Sequence, residues 1–124
     1  MLPDDVFEQL VVEALETLSP FFQAKMSNVE VLVEKWPSRA VLKETRTPPG
    51  YTLLGLYQGI PLTERTQAYN LVTPDTITLY QGPIEEAADG DYETIRQQVR
   101  HTVMHELAHH FGIDDDRLHE LGKY

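Results

Sequence analysis

Residues 92–111 repeat an apolar side chain every four positions: Ile95, Val99, Val103, Leu107 and Phe111, with Met104 and Ala108 backing Val99 and Val103. Steps of four keep side chains on one face of a helix, so the spacing predicts one long amphipathic helix with this stripe turned to the core. Asp91 stands where an aspartate caps a helix start. Gly112 stands where a glycine ends one in the left-handed conformation. A helix this long is an axis around which a chain of 124 residues has to pack, and whatever lies on its other face is held in fixed register.

The rest of the chain supplies the elements that pack on it. Residues 4–18 place Val6, Leu10, Val11, Ala14, Leu15 and Leu18 on a second helical stripe, with Asp4 or Asp5 as cap and Pro20 as stop. Residues 29–34 alternate and are β-branched, which predicts a strand closed by Trp36 and Pro37. Residues 38–51, with Pro48-Pro49-Gly50, read as loop. Residues 53–57 read as a short strand before the turn Gly59-Ile60-Pro61, and residues 76–80 are the best strand in the chain. Residues 84–89 suit a helical turn, and Asp114 or Asp115 can cap a last short helix through Leu121. A composition 41% hydrophobic supports a core. The order of elements predicts a single α+β domain over residues 1–124, with a short, mostly antiparallel sheet packed on an N-terminal and a C-terminal helix.

All five histidines, His101, His105, His109, His110 and His119, fall on or after the predicted long helix. Within it, His105-Glu106-Leu107-Ala108-His109 spells H-E-x-x-H. Histidines four apart stand one above the other, so both imidazoles reach one ion from the same side. Glu106 is turned about 100° from His105 around the helix axis and flanks the open side of such an ion. A carboxylate there can take a proton from water that the metal has acidified. His101 shares the stripe, but it starts about 12 Å from His109 along the axis, beyond the span of one ion. It is also followed by Thr102 rather than an acid. The chain has no cysteine, so the remaining ligand has to come from His, Asp or Glu. Catalytic zinc usually takes three protein ligands. Gly112 allows the chain to turn back sharply, which makes Asp115 a well-placed third ligand, with Asp114, Asp116 and His119 as competitors. His101 and His110 read as solvated or supporting residues, and Tyr80 as core or sheet surface.

The run from His105 through Gly112 to Asp115 resembles the H-E-x-x-H-x-x-G-x-x-H/D signature of metzincin-type zinc peptidases, in its Asp-ending form. Most of the chain resembles the small bacterial minimal zincins, in which the segment from Ile77 through Gly82-Pro83-Ile84 and the run through Leu118-His119-Glu120-Leu121-Gly122 recur. The resemblance implies a stripped zincin domain and a Zn2+ ion on His105, His109 and Asp115. It also implies Glu106 as the general base in hydrolysis of peptide or protein substrates. Metzincins place a methionine turn downstream of the third ligand; no methionine follows Asp115 here. By analogy with zincins, which hold substrate as an added strand at a sheet edge, residues 76–81 are the candidate edge.

A formal net charge of −10 repels nucleic acid and anionic membranes, so neither is expected as a partner. No apolar run approaches the roughly 20 residues of a membrane span. The acidic start, Asp4-Asp5, is unlike a secretory leader, so a cytoplasmic protein is expected. The rival reading is a non-catalytic metal-binding or protein-interaction domain that retains a zincin site. An intact Glu106 speaks against it, because a structural ion does not require that acid.

Overall fold

The computed structural model describes residues 1–59 and 74–113. Helix α1, Asp4–Glu16, opens after Pro3 and buries Phe7, Leu10, Val11 and Ala14. Its predicted stripe is rotated slightly: Phe7 goes fully inside, while Val6 and Leu15 are half-buried at the margin. A large aromatic removes more apolar surface from water than valine does, so it takes the inner position. The chain leaves the helix at Thr17, and Pro20 begins a second short helix, α2 (Pro20–Lys25), at the position where its missing N–H costs nothing. Phe22 plugs α2 into the core.

Strand β1, Val29–Glu34, follows as its alternation predicts, with Val29, Val31 and Val33 turned toward the helices. The stretch predicted as loop contains one further helix, α3 (Arg39–Glu44). Ser38 caps it, accepting from the Val41 amide at 3.1 Å. None of its residues is buried, so it lacks the apolar periodicity by which sequence reveals a helix. Strands β2 (Gly55–Gln58) and β3 (Asp75–Tyr80) complete the sheet. The turn expected at Gly59-Ile60-Pro61 runs on into residues outside those described. Helix α4 (Gln81–Ala87) begins directly after β3, and α5 (Tyr92–His110) is the long helix.

The α+β class stands. The sheet, however, is mixed rather than mostly antiparallel: its order is β1-β3-β2, with β1 parallel to β3 and only β2 antiparallel to it. Val31 pairs with Ile77 and Val33 with Leu79 on one side; Tyr57 pairs with Ile77 on the other. β3 is the strand whose residues are most thoroughly buried, and the central place lets both of its edges be satisfied. Residues 76–81 are therefore not a sheet edge, and among the described residues the edge strand beside α5 is β2.

Helices α1 and α5 pack on each other and cover the face carrying Ile77 and Leu79. The buried set joins Phe7 and Leu10 of α1 to Ile95, Val99, Val103 and Leu107 of α5. Each such side chain contributes about 1.5–3 kcal/mol on burial. Among the described residues, no helix is long and apolar enough to cross a membrane.

Candidate functional site

Helix α5 is fixed at both ends by the residues its sequence singled out. Asp91 accepts from the Thr94 amide at 3.0 Å and from its hydroxyl at 2.7 Å. These bonds hold the Asp91 carboxyl below the usual aspartate range. At the other end Gly112 has φ +71°. Its N–H donates to the His109 carbonyl at 3.2 Å, and that of Ile113 to the Ala108 carbonyl at 2.7 Å. This pair of bonds is a Schellman motif, with Ile113 packed back on the core. Phe111, the expected last member of the stripe, lies past the last helical turn and is 41% exposed. Its ring sits 4.8 Å from the Lys25 ammonium instead.

With α5 pinned by Ile95, Val99, Val103, Met104, Leu107 and Ala108, one face of the helix is in the core and the other is left outside it. That sector carries His101, His105 and His109. The rings of His105 and His109 lie 4.4 Å apart, and those of His101 and His105 lie 5.2 Å apart. His105 is half-buried, whereas His101 and His109 are exposed.

Glu106 lies between this stripe and the sheet. It is half-buried against β2, and its Oε1 accepts the backbone N–H of Tyr57 at 3.2 Å. Burial raises its carboxyl above the usual glutamate range; the Tyr57 amide and nearby His109 oppose that shift without cancelling it. A raised carboxyl pKa moves a base toward the neutral range in which general bases work best. The strand comes this close because residue 55 is glycine. A β-carbon there would lie 2.7 Å from Thr102 Cγ2 and 3.5 Å from Glu106 Cγ.

One turn beyond Glu106, His110 leaves the stripe of His101, His105 and His109 and stacks on the Tyr57 ring, centroids 3.9 Å apart and planes 14° apart. The Tyr57 hydroxyl donates to Asp75 Oδ2 at 2.7 Å, and His110 Nε2 lies 3.9 Å from the same oxygen.

The family model described as zincin-like metallopeptidase matches residues 26–124, which include every element from β1 to the H-E-x-x-H helix. The chain belongs to the zincin-like metallopeptidase family. No curated protein matches it. Zinc metalloprotease chemistry is the family's, and its zinc-binding character agrees with a donor set of adjacent imidazoles.

The zincin-like domain thus brings together His105, His109 and Glu106 as the spacing predicts. Asp115, with its rivals Asp114, Asp116 and His119, lies outside the described residues, as does the short helix expected up to Leu121. Among the described residues, no three His, Asp or Glu side chains converge as a metal-holding group. His101 remains at the far end of the stripe. Tyr80 is almost wholly buried and alternates onto the other face from Ile77 and Leu79, so it does not border the site. Burial and Glu34 both push its hydroxyl above the usual tyrosine pKa.

Two residues escaped the sequence reading, Tyr57 and Asp75. Asp75 had a signal: extending the alternation of β3 back by one step puts a carboxylate on the same face as Ile77 and Leu79. It is only 8% exposed. An acid on a core face calls for a partner. Tyr57 had none, because an aromatic in a short apolar run reads as core.

Proposed function

We propose that this chain is a zinc-dependent peptidase in which His105 and His109 hold the ion, Asp115 completes its ligands, and Glu106 is the general base. The observation that supports this reading is the splitting of one helix turn into two chemistries. Paired imidazoles lie together on one stripe, His109 exposed and His105 half-buried, while the intervening carboxylate is drawn aside and braced on the β2 amide of Tyr57. A zinc ion on these imidazoles supplies Lewis acidity toward a peptide carbonyl and toward water.

The chain's own residues supply the rest. His105 and His109 share a rigid helix, so their separation is set before any ligand arrives. Glu106 accepts the proton of the attacking water and returns it to the leaving amine, the general acid–base part of the reaction. The Tyr57 N–H keeps this carboxylate from turning into solvent. A peptide substrate lies extended beside β2, the edge strand next to Glu106, where main-chain pairing gives affinity independent of side chains.

The test is elemental analysis of untagged protein beside peptidase turnover on a mixed peptide library. About one zinc per chain is expected, lost in His105→Ala and Asp115→Ala. Glu106→Gln is expected to keep its zinc and lose turnover by about 100-fold or more. Turnover surviving in Glu106→Gln, or failure to take up zinc at neutral pH, would reject the enzyme reading in favour of a binding domain.

A further inference from the structure

Three contacts that Tyr57 makes with described residues together bind β2 to the helix row that carries the base. Glu106 and His110 are one turn apart on α5 and so lie in one row. Tyr57 grips both: its amide is donated to Glu106 and its ring lies flat on the His110 imidazole. Its hydroxyl reaches the Asp75 carboxylate. Asp75 is held in place by the sheet, since its N–H donates to the Asn28 carbonyl at 3.0 Å and it opens the β3 ladder opposite Val29.

The strand is shaped for this grip. Gly55, Tyr57 and Gly59 share the face toward α5 by the alternation of a strand. The outer two are glycines, so only tyrosine projects. A β-carbon at Gly59 would lie 3.4 Å from His110 Cε1 and 3.7 Å from Asp75 Oδ1, in ordinary contact with the groups that Tyr57 touches. The side chain is thereby fixed at its tip and its face, which fixes the backbone amide it hangs from.

We infer that Tyr57 is a positioning residue for Glu106: the anchoring of its side chain on Asp75 and His110 holds the edge-strand amide, and with it the carboxylate of the base, in one orientation. The catalytic consequence rests on the peptidase reading above; the hydrogen bond itself does not. Residues that orient a functional group in this way typically change activity by about 10–100-fold when removed. His105 and His109 lie on a different row of the helix, so zinc binding is outside the reach of this device. Loosening Tyr57 lowers kcat and leaves KM and zinc content near their original values.

The experiment compares Tyr57→Phe, Asp75→Ala and Asp75→Asn in the full-length, zinc-supplied chain. Tyr57→Phe keeps the ring and loses only the hydroxyl; Asp75→Asn keeps an acceptor for it. Peptide hydrolysis, zinc content and the amide proton resonance of residue 57 are measured in each, with Glu106→Gln as the reference for that resonance. The expected pattern is a resonance that moves in Glu106→Gln and moves the same way in Tyr57→Phe and Asp75→Ala. In those last two variants kcat falls about 10-fold or more with unchanged zinc, and Asp75→Asn recovers most of both signals. A residue-57 amide indifferent to Glu106→Gln overturns the proposal. So does unaltered kcat in Tyr57→Phe and Asp75→Ala, or a loss of zinc that explains the loss of rate. If the parent chain takes up zinc but hydrolyses nothing, the peptidase reading fails, and the amide resonance alone decides whether Tyr57 positions Glu106.

Discussion

At the scale of single residues, the site depends on how near β2 is allowed to come. Gly55 is required by proximity rather than by backbone conformation, since the space for its β-carbon is occupied by Thr102 Cγ2 at 2.7 Å and the Thr78 carbonyl at 3.2 Å. Gly55→Ala is expected to destabilise the protein by about 1–3 kcal/mol, the range for overpacking a filled site. Thr102→Ser removes the clashing methyl and keeps the hydroxyl that donates to the Gln98 carbonyl at 2.7 Å. Combined with Gly55→Ala it is expected to recover part of that loss in urea unfolding; strict additivity of the two changes would contradict the geometry. Glu106 gives a pH-dependent counterpart. Its folded-state pKa is raised by burial above the ordinary 4.5, so the native state holds the proton more tightly than the unfolded chain does. Stability therefore falls as pH rises from the ordinary value through the raised one. In metal-free protein, Glu106→Gln is expected to melt above the parent chain at neutral pH and to lose that advantage below pH 4.5. A constant difference across the range would show that burial of the charge costs nothing.

At the scale of elements, α5 is the member on which the others are assembled, and its two ends behave differently. Its start is a side-chain cap, from Asp91 to Thr94. Its end is a backbone device that only a residue tolerant of positive φ can form, and Gly112 sits at +71°. Gly112→Ala is expected to cost about 1–2 kcal/mol, the penalty of left-handed geometry for an L side chain. Gly112→Asn is expected to cost less, because asparagine enters that region more readily. Thermal unfolding of the two variants provides the check, and equal losses would mean that the last turn unravels rather than strains. The same device sets the path of the chain from His109 to Ile113, the approach to the third ligand proposed at Asp115.

At the scale of the whole molecule, 20 acids against 10 bases leave a net charge of −10, and the exposed ion pairs do little to offset it. Arg96 illustrates this, reaching Glu93 at 3.3 Å and Glu13 at 3.6 Å with half of its own side chain in solvent. Self-repulsion is screened by salt, so the melting temperature is expected to rise between about 0.01 M and 0.5 M sodium chloride. A fall over that range would mean that the surface pairs outweigh the repulsion. The sequence by itself determined the long helix, its caps, the histidine pair on one stripe and the acid between them. All of these are properties of one helix, where spacing along the chain is spacing in space. The same holds for the stretches that form strands, whose alternation is local. Only the tertiary structure decided that β3 is central and β1 parallel to it, because a two-residue period says which face is buried and nothing about neighbours. It also decided that Phe7 outranks Val6 and that Asp75, Tyr57 and His110 meet beside Glu106. Those choices depend on which surfaces can be buried together across the chain, and the contacts that settle them join residues far apart in sequence.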